Sequence, residues 1–158
     1  KTPTLTDSAK ENLLNFVKEG KGLTVAHLAS ASFKEWDEFR KLCGRNWVMG
    51  KSGHGPRSVF KVTIADKNHA ITSGAKDFET DDELYAKLQG NEPIHVLAEA
   101  YSDWSKNTEP LAFILEYGKG RVFHSVLGHD VTAYTHSAAT GELMRRGCAW
   151  AAALPPTP

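Results

Sequence analysis

Only two cysteines, Cys43 and Cys148, occur in the chain, and they lie far apart. They form no metal-type pair, and both read as buried thiols on helices. An excess of charge of either sign is missing as well. Nineteen Lys and Arg balance nineteen Asp and Glu, with no basic run, so no nucleic-acid footprint is present. No apolar run is long enough to span a bilayer. No signal peptide is recognisable, and the first residue is Lys1 rather than Met. A processed or trimmed start stays open, as does the compartment, cytoplasm or periplasm. There is no Gly-x-Gly-x-x-Gly fingerprint for a nicotinamide cofactor, and no glycine-flanked nucleophile elbow. What remains is an ordinary globular composition, 41% hydrophobic over 158 residues. That suffices for one domain, residues 1–158, around a single core.

Taken in order, Lys1 to Leu5 reads as an extended lead-in. Thr6, Asp7 or Ser8 can cap a helix, Ser8 with Glu11 has capping-box spacing, and Leu13, Leu14, Phe16 and Val17 recur at helical intervals. Gly20 and Gly22 end that helix. Leu23 to Leu28 is an unbroken apolar strand, suited to burial on both faces in a parallel sheet. Phe33 to Cys43 is a second helix, with Phe33, Trp36, Phe39 and Leu42 inward. Asn46 to Pro56 is a Gly-rich loop. Ser58 to Ala65 alternates as a strand. The acidic stretch Phe78 to Tyr85 reads as irregular or as a short helix. Pro93 to Tyr101 is a strand, and Tyr101 to Pro110 a polar loop. Leu111 to Tyr117 and Arg121 to Leu127 form a hairpin through Gly118-Lys119-Gly120. Ser137 to Ala153 is the closing helix, stopped at Leu154-Pro155-Pro156. The pattern is α/β with some antiparallel strands.

Histidine is the chemically interesting residue. His27 ends the first strand, and the carboxyl end of a strand in an open α/β sheet is where ligands collect. His54 lies in the Gly-rich loop, and His129 directly follows the last strand. Imidazoles titrate near neutral pH, so two or three in one crevice can do acid–base work or hold a divalent metal. Catalytic zinc takes three ligands and a water. These histidines lack a fixed short spacing, so no metal ligand is assigned. Glu83 can accept a proton or bond a sugar hydroxyl, and Tyr85 can stack or donate. Trp104 is a stacking platform in its loop. His69 shapes a turn. His95 and His124 sit inside strands as structural residues. Asp130 adjoins His129 and points to the opposite side. Trp36 and Trp150 suit a core, and Arg121 the hairpin.

Several signatures then stand in one order. They are Gly20-Lys21-Gly22-Leu23 with His27, Phe33-Lys34-Glu35-Trp36, His54, and His69-Ala70-Ile71-Thr72. After them come Asp82-Glu83-Leu84-Tyr85, Tyr117-Gly118-Lys119-Gly120-Arg121-Val122, Leu127-Gly128-His129 and Arg146-Gly147-Cys148-Ala149-Trp150-Ala151. From Thr6 to Ala152 the chain resembles the trehalose-utilisation (ThuA-like) family. The resemblance implies a flavodoxin-like fold related to class I glutamine amidotransferases, with a mainly parallel sheet flanked by helices. Ala70 stands where the family usually has proline, and Lys21 where it has glycine. Family members begin with further strand–helix units of about 30 residues each. The resemblance therefore implies that this is a fragment, a trimmed variant, or a chain whose sheet another chain or a homo-oligomer completes.

In the amidotransferase relatives a nucleophilic cysteine occupies the turn after the central strand, and a histidine arrives from another strand. His27 and His129 resemble the occupants of these two positions, and no cysteine is at the turn. The family association implies an enzyme of carbohydrate metabolism acting on trehalose or related (keto-)disaccharides. His27 and His129 would be acid and base and Glu83 would orient the substrate, with Tyr85, His54 and Trp104 as sugar contacts. The expected partner is a small sugar, with neither nucleic acid nor membrane. The rival readings are a non-catalytic carbohydrate-binding or scaffold module and a metal-dependent hydrolase.

Overall fold

A computed structural model describes residues 4–156; the expected lead-in at Lys1–Pro3 lies outside them. Helix α1 (Asp7–Lys18) is capped by Thr6, one of the three expected candidates, whose hydroxyl oxygen accepts the Ala9 N–H at 3.2 Å. Val17 is buried, while Phe16, expected on the inner face, is exposed. Strand β1 (Gly22–Ala26) follows and runs straight into a 3₁₀ turn, His27–Ala31. The expected second helix is shorter than its apolar spacing suggested. Helix α2 covers Asp37–Cys43, and Trp36 stands before it, stacked on Phe39 with ring centres 5.6 Å apart.

Next come β2 (Gly53–His54), β3 (Ser58–Ile64), β4 (Phe78–Asp82) and β5 (Tyr85–Ala86). The acidic stretch expected to be irregular or helical is thus β4 and β5. Its alternation hid in a run of carboxylates: Thr80 and Asp82 are buried, and Glu79 faces water. The Gly-rich loop likewise contains β2, which sets His54 opposite Tyr85 in a two-stranded ladder with β5. Strands β6 (His95–Ser102) and β7 (Asn107–Tyr117) extend through most of the expected polar loop. A tight turn at 103–106 joins them. After β8 (Gly120–Ser125) come α3 (Val131–His136), which periodicity did not reveal, and α4 (Ala138–Ala151).

The main sheet has six strands in the order β1-β8-β7-β6-β3-β4. The fold is α/β, as expected, but the proportion of pairings differs from a mainly parallel sheet. Only β1–β8 is parallel among the described residues, and the other four pairs are antiparallel. Connections as short as Gly118-Lys119 permit only hairpins, since a parallel crossover needs a dozen residues or more. Strand β1 lies at the sheet edge, so among its residues only Val25 is buried, not both faces throughout.

The centre of the core is β7 and β8, where Leu111, Phe113, Val122 and Phe123 are wholly buried. Helix α4 lies against β8 at Gly147. A Cβ there would fall 2.1 Å from the Phe123 ring, so only glycine allows that approach. Cys43 is buried as expected, but Cys148 faces solvent on α4. Its helix turns Leu143, Arg146 and Ala151 inward instead.

Candidate active site

Beyond the carboxyl ends of β1 and β8, the chain gathers three imidazoles, a carboxylate and a phenol. His27 opens its 3₁₀ turn at φ 45°, in the left-handed region. An L-residue there carries strain of about 1–3 kcal/mol, and such strain clusters at functional sites. The turn aims the ring back under the loop after β8. There His27 Nδ1 meets the Val126 carbonyl at 2.8 Å. A carbonyl only accepts, so Nδ1 carries the proton and Nε2 presents its lone pair. The Tyr85 hydroxyl donates to that Nε2 at 2.7 Å, and His129 Nδ1 stands 3.2 Å from it.

Glu83 joins the group with one oxygen. Its Oε2 is 3.1 Å from His129 Nδ1 and 3.7 Å from Nε2 of both His27 and His54. His54 repeats the His27 device, its Nδ1–H donating to the Gly55 carbonyl at 2.6 Å so that Nε2 faces Glu83. Three donor atoms, from His27, Glu83 and His129, lie within 4.8 Å of one another, a spacing that a metal ion can bridge.

One residue that sequence reasoning missed holds this arrangement together. Asp82 is wholly buried, and its carboxylate accepts the N–H groups of Gly128 at 2.6 Å, His129 at 3.1 Å and Glu83 at 2.8 Å. Backbone donors can hold a buried carboxylate in place, and these three tie the His129 loop to the Glu83 turn. Gly128 sits at φ 102°, and a Cβ there would fall 2.2 Å from the Tyr134 hydroxyl oxygen. Within the acidic run Asp81-Asp82-Glu83, only its place on a strand face distinguished Asp82. Trp47 was missed too. Its ring lies 4.5 Å from that of Tyr85 and 5.9 Å from that of His54, forming the apolar wall of the cluster.

Accessibility sorts the members. The His129 side chain is 42% exposed, against 18% for Glu83 and 11% for His27, so a ligand meets His129 first. Burial pulls His27 below its usual range, opposed by its bond to Val126 and by Asp82. It therefore stays neutral. Burial, then Glu83 and Asp82, push the Tyr85 phenol up, so it remains a donor.

The remaining expected sugar contacts fall differently. Tyr85 lies behind His27 with its hydroxyl committed there. Trp104 is exposed on the β6–β7 turn, resting on Gly53 beneath Lys87 Nζ, which is 4.9 Å from its ring centre. It flanks β2 without entering the cluster. Asp130 turns away from His129, as expected. It pairs with Arg57 at 2.6 and 3.1 Å and caps α3. His124 is wholly buried, its Nδ1–H donating to the Cys43 carbonyl, and burial pulls it down to about 4.

The fold and this carboxyl-end cluster define a mixed α/β protein of the flavodoxin-like type. The sequence model of the family described as trehalose utilisation (ThuA) matches residues 1–151, and the chain belongs to that family. A ThuA-like protein from Parabacteroides merdae superposes with a TM-score of 0.84 at 27% identity, covering 95% of this chain and 67% of that one. One from Bacteroides uniformis gives 0.73 at 16%, covering 99% and 70%. A β-galactosidase from Rahnella gives 0.55 at 14%, covering 88% of this chain but 21% of the enzyme, a likeness of fold alone. No curated protein matches the sequence. No helix among the described residues is long and apolar enough to cross a membrane.

Proposed function

We propose that the chain carries the reactive centre of a carbohydrate-metabolism enzyme. It would transfer protons at a carbon or hydroxyl of trehalose-related sugars, above all oxidised (keto-)sugars. The observation that carries this reading is the 3.2 Å approach of His27 Nε2 and His129 Nδ1, with Glu83 Oε2 touching both rings. A carbon next to a carbonyl is acidic enough for imidazole to deprotonate it, without a nicotinamide. When Glu83 holds the His129 Nδ1–H, His129 Nε2 keeps its lone pair on the exposed side, where it acts as base. As His129 takes the sugar's proton on Nε2, its Nδ1–H passes to His27 Nε2, 3.2 Å away, and the His27 imidazolium so formed is the acid that returns a proton to the sugar. Glu83 orients the imidazoles as well as the sugar, and Trp47 offers a flat face to a ring.

The test is incubation of keto-disaccharides in heavy water with parent, His27→Gln and His129→Gln proteins. Deuterium uptake or turnover should fall by about 10²–10⁴-fold in each variant while sugar binding persists. Turnover equal to the parent's in both variants would leave the non-catalytic carbohydrate-binding module as the better description.

A further inference from the structure

We propose that His27, His129 and Glu83 form a binding site for one transition-series divalent cation, zinc being the type, with a solvent molecule completing the shell. The donor triangle has the right size. Bonds of about 2.0–2.1 Å at the tetrahedral angle set ligand atoms about 3.3 Å apart. Here the edges are 3.2 Å (His27 Nε2 to His129 Nδ1), 3.1 Å (His129 Nδ1 to Glu83 Oε2) and 3.7 Å (His27 Nε2 to Glu83 Oε2). His54 Nε2 is 3.7 Å from Glu83 Oε2 but lies outside the set of three donors within 4.8 Å of one another, so it flanks the site.

The lone pairs are already aimed. Val126 and Gly55 carbonyls hold Nδ1–H of His27 and His54, which leaves both Nε2 atoms unprotonated; that of His27 accepts the Tyr85 hydroxyl, which has to turn away for an ion to enter. Metal-binding histidines use this outer hydrogen bond to fix ring and tautomer. Asp82 likewise braces the turns that carry Glu83 and His129. Imidazoles with one carboxylate favour zinc, iron, nickel or copper over magnesium and calcium, which prefer all-oxygen shells.

The inference rests on the reading of this cluster as the reactive centre. Cation and proton contend for the same lone pairs. A loaded site gives up acid–base work by His27 and His129 and polarises a sugar oxygen instead.

The test titrates chelator-treated full-length chain with zinc by calorimetry, and with cobalt by visible absorption. One equivalent should bind, with cobalt bands of a tetrahedral site. Affinity should fall at least about tenfold in His129→Gln and Glu83→Gln, and stay unchanged in His69→Gln and His95→Gln. Circular dichroism confirms that each variant is folded. No saturable uptake, or uptake that survives His129→Gln and Glu83→Gln, overturns the proposal. Turnover by metal-free protein separates the two ideas. Turnover without any cation uptake keeps proton transfer and removes the metal, and uptake without turnover of any sugar does the reverse.

Discussion

Two groups of two histidines and an acid lie at opposite ends of the sheet, alike in composition and unlike in what they can do. One is His27, His129 and Glu83, beyond the ends of β1 and β8. The other is His69, His95 and Asp66, beside Trp150 and Arg121 where β8 begins. In the second group the carboxylate and one nitrogen of each ring are taken up by structural contacts. Asp66 accepts the N–H groups of Asn68 and His69 and, on its other oxygen, meets His95 Nε2 at 2.8 Å. His69 Nδ1 accepts the Ile71 N–H, and the two rings stand 5.8 Å apart. In the first group a backbone carbonyl takes the outward Nδ1–H of His27, as another does for the neighbouring His54, so both rings turn Nε2 toward one oxygen of Glu83. Residue type does not distinguish the groups. The direction in which the backbone spends their protons does.

The largest effect expected from breaking this contrast is on turnover. Where His27→Gln or His129→Gln removes activity by the factor given above, His69→Gln and His95→Gln should leave it within about twofold, because exposed ion pairs contribute little. Steady-state kinetics on all four variants measures the difference; equal losses at both ends would erase it. Next comes Asp82→Asn, which replaces an acceptor of three N–H groups with an amide. It should lower stability by about 1–3 kcal/mol, read by denaturant unfolding. It should also reduce kcat more than it raises KM, since the His129 loop and Glu83 lose their common anchor.

Acid should act through buried imidazole rather than through the exposed pair. His124 is neutral in the fold, drawn by burial from an ordinary 6.5 to about 4. The unfolded chain therefore binds more protons between those values. Stability is complete above about pH 6.5 and declines as pH falls toward 4, by roughly 3 kcal/mol. His27, also lowered by burial, adds in the same direction. Thermal melts from pH 7 to 4 should show this decline, and His124→Leu should flatten it. The smallest effect concerns the thiols. Burial raises Cys43 to about 12, so in native protein a thiol reagent should label only Cys148, and Cys43 should react after unfolding.

Much of the site was legible before the fold. His27 closes an apolar run and His129 follows another, and strand ends in α/β sheets collect reactive groups. Glu83 and Tyr85 stood two residues apart in a stretch matching a family motif, yet that stretch showed neither its strand character nor its register. Asp82 looked like one more surface acid, because burial of a carboxylate depends on three backbone donors brought from residues 83, 128 and 129. The sheet's antiparallel majority was partly visible, since Gly118-Lys119-Gly120 marked a hairpin. The β6–β7 hairpin was masked by polar residues at 102–108, which alternate on a strand that projects past its neighbours.

The amino-acid order alone specified the α/β class, the helices at either end, the hairpin before His129 and the family. It did so because apolar periodicity, glycine stops and motif order are local properties of the chain. Only the tertiary structure decided that His27, His54, Glu83 and His129 share one point while His69 and His95 do not. That outcome depends on strand register and on which ring nitrogen a distant carbonyl claims. Val126 lies 99 residues from His27, and no local pattern encodes which of its partner's protons it will hold.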